Sequence, residues 1–325
     1  MRIRWDTRHR STVYGLVANL LWSATVALAR SMAEAIGPLA AGTAVYCTAG
    51  VLLGAVFLLR EGSWRPLRAL PPRYVFGCGA LFVLYTLTLF EALGLAASRA
   101  QTIEVGLFNY LWPALTILFS LPLLGNRASL WLIPGTLLAF GGLVLAVTQG
   151  AITWATFGAN LIGNPAAYGL GVLAGVVWGL YSNLTRRWGG SGRGGVLLFT
   201  LGTGLAFGIG LVFRPSTGTW SLRVLAEVGC LALATATAYV CWDIAMRQGD
   251  LALVAAFSYY TPLLSTVVSC LYLRVWPSAS LWAGCACVIA GSLLSWRSIR
   301  PPDTPPGRPP KSMLQGIQDG TRNQR

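Results

Sequence analysis

Long apolar runs, interrupted at intervals by short clusters of charge, glycine and proline, organise nearly the whole chain. A hydrocarbon core of about 30 Å is crossed by about 20 helical residues. Read on that scale, the apolar runs and their breaks predict ten membrane spans: 12–29, 38–59, 74–95, 102–122, 130–148, 165–185, 195–213, 224–246, 254–272 and 280–296. The first run follows Arg2, Arg4, Arg8 and Arg10 and ends in Ala27-Leu28-Ala29, like a signal peptide. It is longer than the usual 7–15 apolar residues of such a segment and is repeated later in the chain, so it reads as a retained span.

The repetition fixes the architecture that the pattern predicts. Leu20-Leu21-Trp22-Ser23 parallels Val176-Val177-Trp178-Gly179 at an offset of 156. Phe108-Asn109-Tyr110-Leu111-Trp112-Pro113 parallels Phe257-Ser258-Tyr259-Tyr260-Thr261-Pro262 at an offset of 149, which Ser120/Ser269 and Gly142/Gly291 keep. The expectation is an all-α polytopic membrane protein: ten transmembrane helices as two five-helix repeats, 12–148 and 165–296. A basic cytoplasmic N-tail (1–11), a periplasmic linker (149–164) and a proline-rich, disordered cytoplasmic tail (297–325) complete the chain. An odd number of helices makes the second copy enter the membrane from the opposite side, so the repeats are inverted.

Composition agrees. Of 325 residues, 55% are hydrophobic and 10% charged, against about 25% charged in ordinary soluble domains. Too few charges remain to cover a soluble surface, and disordered chains are poor in apolar residues. The net charge of +14 raises nucleic acid as a partner. One Lys (Lys311) and twenty-three Arg are instead scattered through connections and tails, with no basic stripe on a soluble module. Counted with the N-terminus inside, the cytoplasmic segments hold 19 of them and the opposite side 5. This asymmetry puts both termini of an inner-membrane protein in the cytoplasm. The lipid bilayer is thus the expected surroundings, nucleic acid is not a partner, and nothing demands more than a monomer.

The single histidine, His9, excludes His-based metal sites and triads. Cys47, Cys78, Cys230, Cys241, Cys270, Cys285 and Cys287 all fall in apolar runs and read as small side chains at helix contacts. No nucleophile–base set, metal cluster or cofactor fingerprint appears, so neither an enzyme nor a cofactor is expected.

What remains is a candidate solute site. Pro113 and Pro262 fall near the middle of spans four and nine, where proline removes a backbone donor. Paired breaks in two halves point to a midplane site and to hinges. Trp22, Tyr46, Tyr85, Tyr110, Trp112, Trp178, Tyr181, Tyr239, Tyr259 and Tyr260 lie within spans rather than at their ends. A buried Trp or Tyr needs a partner that lipid does not offer, so these rings should turn inward and line a cavity; helix-to-helix packing is the competing reading. Asn109, Ser258 and Thr261 add uncharged polar groups beside the prolines, able to hold a zwitterion without ionic partners. Glu91, Glu104 and Asp243 are candidate proton or charge-coupling groups, since intramembrane acids are functional by default. Glu104 and Asp243, like Glu227, lie near span ends, where pairing or snorkelling also explains them. Gly171-x-x-x-Gly175-x-x-x-Gly179 and similar patterns permit close helix approach.

The sequence resembles the drug/metabolite transporter superfamily, and within it the aromatic amino acid exporters of bacterial inner membranes. Leu21-Trp22-Ser23, Leu81-Phe82-Val83-x-Tyr85 and Ser258-Tyr259-x-Thr261-Pro262 carry the resemblance. The most specific part is Gln101-x-Ile103-Glu104-Val105-Gly106-x-x-Asn109-Tyr110-Leu111-Trp112-Pro113 with its continuation to Phe119. The resemblance covers about 12–296 and implies a secondary-active exporter of aromatic amino acids. Ala97-Ser98-Arg99-Ala100 lacks the histidines expected in some relatives, so any proton coupling there uses other groups. The residues alone leave three readings: an amino acid exporter, a carrier for a nucleoside, cationic drug or sugar, and a membrane enzyme or scaffold.

Overall fold

The structure is a computed structural model and describes residues 7–148, 153–216, 218–264 and 279–300, without the side chains of 24–27, 29–30 and 99–100. The start of the N-tail, the linker residues 149–152, the end of the ninth span with Ser269 and Cys270, and the tail 301–325 lie outside the described residues.

Helices dominate. The longer ones are α1 (Thr7–Ile36), α2 (Pro38–Glu61), α3 (Arg73–Gly94), α4 (Arg99–Asn109), α5 (Trp112–Leu124), α6 (Leu132–Thr148), α7 (Trp154–Gly163), α8 (Pro165–Trp188), α9 (Gly195–Phe213), α10 (Leu222–Gln248), α11 (Leu251–Phe257) and α12 (Ala279–Arg297). A two-residue ribbon pairs β1 (Arg127–Ala128) antiparallel with β2 (Ile299–Arg300). Local chemistry sets the ends. Gly62 (φ 65°) and Gly125 (φ 71°) stop α2 and α5 in the left-handed conformation that glycine adopts without strain. Ser98, Thr153, Asn164, Ser221 and Asp250 cap helix starts with side-chain oxygens.

Among the described residues, seven helices are long and apolar enough to cross a membrane: α2, α3, α4 with α5 as Gln101–Leu124, α8, α9, α10 and α12. Leu132–Thr148 and Leu251–Leu264 are shorter apolar helices. One element was not foreseen in the pattern: α7 forms within the expected linker. It exposes Trp154 and Ile162 and is closed by a capping box at Thr153 and Thr156.

Hydrogen bonds define the two ends of the bundle. At one end Arg8 pairs with Asp250 (2.7 Å), Arg186 donates to the Gly249 carbonyl (2.9 Å) and Arg193 reaches Glu61 (3.4 Å). At the other, Thr219 N donates to the Ala35 carbonyl (3.2 Å), Arg214 pairs with Glu91 (3.0 Å) and Asn164 donates to the Leu95 carbonyl (2.8 Å). Between them α6 packs on α12, α2 on α9, α1 on α10 and α3 on α8. The α6–α12 contact is backbone against backbone: a Cβ on Gly291 would collide with Ala139 N. Small residues are what let membrane helices come this close.

The proline positions act more strongly than a kink. The fourth apolar run is two helices, and Pro113 is the second residue of α5 rather than a mid-helix residue. Its ring cannot donate to the Asn109 carbonyl, so the ladder stops there and Tyr110-Leu111 form a turn. The ninth run breaks in the same way: α11 ends at Phe257, Ser258-Tyr259 turn, and helix resumes at residue 260 just before Pro262. Gly171 of α8 lies against α4, Gly179 against α5, and Gly175 between them against the break in the fourth run; a Cβ on Gly175 would sit 3.1 Å from the Asn109 carbonyl oxygen.

Candidate functional site

The two breaks face a cavity of about 220 Å³ halfway along the bundle, lined by Trp22, Tyr85, Leu89, Asn109, Tyr110, Trp112, Trp178, Tyr239 and Thr261. The volume is below the roughly 300–1,000 Å³ of pockets that enclose drug-sized ligands, which suits a solute of few heavy atoms.

The walls are rings packed edge to face or tilted against one another. Trp178 is the hub. It lies 4.5 Å from Tyr85, 4.9 Å from Tyr181, 5.7 Å from Trp22 and 5.8 Å from Trp242, centroid to centroid. Trp112 meets Trp242 at 5.3 Å and Phe82 meets Tyr239 at 4.6 Å. Such pairs add about 0.5–1.5 kcal/mol each beyond area burial, so the walls are stiff. Trp22 and Trp178, the aligned tryptophans of the sequence repeat, touch edge to face in the cavity wall.

Polar groups are few and mostly committed. Tyr46 and Tyr239 share a hydroxyl–hydroxyl bond of 2.9 Å, which keeps Tyr46 behind the lining. Thr261 Oγ1 donates to Asn19 Oδ1 at 3.0 Å, and Asn19 Nδ2 donates to the Gly15 carbonyl. Asn109 is buried, and its Oδ1 has no hydrogen-bond partner among the described residues. None of the nine lining residues is charged.

Some expected site residues stand elsewhere. Tyr181 is fully buried beneath Trp178, against Phe82 and Phe199. Ser258 is buried and returns its hydroxyl to the Val254 carbonyl at 2.8 Å. Tyr259 and Tyr260 pack with Leu107, Leu143 and Leu263 on the side toward α6 and α12. Lying within a span is thus not enough to make these tyrosines line the cavity: the turn at 258–259 changes the direction in which they face. Leu89, Phe82, Asn19 and Trp242 belong to the site or its support and were not singled out by sequence. Trp242 had a legible signal: it lies three residues after Tyr239, on the same helix face.

The acids sit away from the lining. Glu91 pairs with Arg214 at a half-exposed surface. Glu104 is buried, accepting from Tyr168 Oη and from Asn160 Nδ2 at 3.2 Å, so α7 is tied to α4. Asp243 is buried between Arg247 and Tyr74, whose hydroxyl donates to it at 2.6 Å. Arg247 lies 5.2 Å over the Tyr74 ring and donates to the carbonyls of Gly189 (2.9 Å) and Gly192 (2.5 Å). This knot lies where α10 ends, α3 begins and the α8–α9 loop passes, at the Arg8–Asp250 end of the bundle. The aromatic layer of Phe82, Tyr181, Trp242 and Phe199 fills the space between it and the cavity.

The chain's relatives are transporters. It is 33% identical over 296 residues to the aromatic amino acid exporter YddG of Salmonella typhimurium, covering 90% of this chain and 99% of that protein. The exporter of the same name from Ancylobacter novellus is 32% identical over 294 residues, covering 89% and 98%. A solved crystal structure with 29% identity superposes with a TM-score of 0.75, over 89% of this chain and 97% of that one. One transporter family matches the chain twice, over 10–148 and again over 165–297, leaving out little besides α7 and the tails. With both breaks and every cavity-lining residue inside those two stretches, this multi-pass membrane protein belongs to the EamA-like transporter family.

Proposed function

We propose that this protein is a secondary-active exporter of aromatic and other apolar amino acids in a bacterial inner membrane, working by alternating access around the central cavity. The observation that carries the reading is an uncharged cavity walled by tryptophan and tyrosine between two broken helices. Ring faces offer stacking area to an aromatic side chain, and a broken helix offers backbone polarity without a buried charge. The relatives' shared name agrees with it.

The proposed frame is ten transmembrane helices in two inverted repeats, 12–148 and 165–296, joined by 149–164 and flanked by the tails 1–11 and 297–325. The double family match supports this frame. So does the α6–α12 contact. A Cβ on Gly135 would meet Ser295, and one on Gly284, 149 residues on, would meet Ala146, which is 149 residues before Ser295. A two-fold axis that exchanges the halves produces that reciprocity. Both termini are read as cytoplasmic from the arginine distribution. A monomer holds the whole pathway, and transport needs neither cofactor nor covalent step.

In this reading Pro113 and Pro262 mark the moving parts, and the Tyr74–Asp243–Arg247 knot with the aromatic layer above it closes the cytoplasmic side. Asp243 then serves the gate rather than a proton path, and Glu104 anchors α7.

Uptake of labelled tryptophan, phenylalanine and tyrosine into inside-out vesicles tests the function, with a nucleoside, a sugar and an organic cation as rivals. Saturable uptake of the aromatic amino acids, competed by one another, is the expected result. Uptake confined to one of the rivals would replace the substrate class.

A further inference from the structure

We infer that the cavity holds its solute by the ammonium group rather than by the carboxylate, so that aromatic primary amines are ligands and aromatic acids lacking the amine are not. The inference rests on the proposed transport of aromatic solutes and specifies which end of the solute the site reads.

Desolvation is the starting point. An amino acid entering this space loses water from one cation and one anion, and either loss is costly unless protein groups replace the water. A carboxylate is best met by an arginine fork or a ring of donors. The nine lining residues include no arginine or lysine. Ring nitrogens and phenol hydroxyls can each offer a single hydrogen, and the Tyr239 hydroxyl already shares its bond with Tyr46. An ammonium finds better terms, because the faces of Trp and Tyr carry negative potential that attracts a cation and repels an anion.

The uncommitted polar atoms point the same way. Asn109 Oδ1 is buried, lies in a lining residue and has no hydrogen-bond partner among the described residues, and an amide oxygen only accepts. The Thr261 proton is held by Asn19 Oδ1, so the hydroxyl's remaining capacity is also to accept. Proline at 113 withholds the donor that the Asn109 carbonyl would meet in an unbroken helix. The two side-chain acceptors come from the two breaks and suit the hydrogens of one ammonium.

Equilibrium binding to the purified full-length protein in nanodiscs tests this with three labelled probes: tryptophan, tryptamine, which lacks the carboxylate, and indole-3-lactate, which lacks the amine. Tryptamine should bind within about tenfold of tryptophan, and indole-3-lactate at least 30-fold more weakly than either. Asn109→Leu should weaken tryptamine at least tenfold, and Asn109→Asp should restore or exceed the original affinity, a rescue that lost packing would not give. Thermal unfolding checks that each variant is folded, and Thr261→Val supplies a second acceptor deletion if either Asn109 variant is not. Indole-3-lactate binding as tightly as tryptamine overturns the inference, as does unchanged tryptamine affinity in the folded deletion variants. Tryptamine binding without tryptophan binding would remove the amino acid reading while supporting the ammonium site. Binding of none of the probes would remove both.

Discussion

Thr261, at the break in the ninth apolar run, donates its hydroxyl hydrogen to Asn19 Oδ1 of α1 across 3.0 Å. Three residues after Asn19 stands Trp22, on the cavity wall; three before Trp178, at the corresponding place in the other half, stands Gly175 against the Asn109 carbonyl. Each tryptophan-bearing helix therefore touches a helix break at the same position, once by hydrogen bond and once by close approach.

The Asn19–Thr261 bond is buried, so its two ends should be coupled. Asn19→Ala leaves Thr261 without its acceptor and is expected to destabilise the protein by about 1–3 kcal/mol. Adding Thr261→Val should cost less than the sum of the single changes, with a coupling of about 1 kcal/mol in a double-mutant cycle read by thermal unfolding. Additive losses would mean that the bond does not hold the break.

Trp22 and Trp178 should separate into a binding and a folding role. Trp178 is 1% exposed and surrounded by rings, so Trp178→Ala is expected to cost about 3–5 kcal/mol of stability. Trp22 is only partly buried, and Trp22→Ala should chiefly weaken solute binding, by about 1–3 kcal/mol as for other stacking platforms. Calorimetric unfolding and tryptophan binding, measured on both variants, give the two numbers. Equal effects on both quantities would assign the pair to packing.

Opening of the proposed cytoplasmic gate can be read at a native thiol. Cys78 is fully buried, one turn of α3 beyond Tyr74. In a protein keeping Cys78 alone, Tyr74→Phe and Asp243→Asn should raise its labelling by a membrane-impermeant maleimide several-fold in inside-out vesicles. Labelling should stay at background in vesicles of the opposite orientation. Unchanged reactivity in both folded variants would make the knot a static brace.

The α6–α12 seam predicts a steep size limit. A Cβ at Gly291 meets backbone atoms of Ala139 and Gly135 within 2.6 Å, and backbone cannot turn aside as a side-chain tip can. Gly291→Ala should therefore lower stability by about 1–3 kcal/mol, and Gly291→Leu should abolish accumulation of folded protein. Gly141, one residue from the seam and with nothing within 4 Å of its Cβ position, should accept alanine without loss. Fluorescence-detected size exclusion of the three variants checks the contrast.

The prolines should affect rate more than affinity. In Pro113→Ala an N–H becomes available to the Asn109 carbonyl, which favours a continuous helix. Exchange in proteoliposomes is expected to slow about tenfold or more while tryptophan binding changes by less than threefold, and likewise for Pro262→Ala. A collapse of affinity with normal exchange by the bound fraction would make the breaks part of the site alone.

Much of this was legible in the sequence because membrane segments obey local rules. Backbone polar groups in hydrocarbon must be satisfied within the segment, so apolar length translates directly into helix; the match at an offset of 149 marks the two breaks, and the match at 156 pairs the two tryptophan-bearing helices. The inward turn of Trp22, Tyr85, Trp112, Trp178 and Tyr239 followed from the same rule, since lipid offers no partner to a ring N–H or O–H. Three things were decided only by tertiary structure. Whether proline bends a helix or divides it depends on what receives the freed carbonyl, and here Gly175 of another helix makes room for it. Which tyrosines line the cavity depends on the turns at 110–111 and 258–259, which reset the helical period and send Tyr259 and Tyr260 toward α6 and α12. The partners of the acids came from residues distant in sequence: Arg214 for Glu91, Tyr168 for Glu104 and Tyr74 for Asp243. Periodicity along one chain records which face of a helix is apolar; the partner that a side chain meets there is set by the packing of all the helices together.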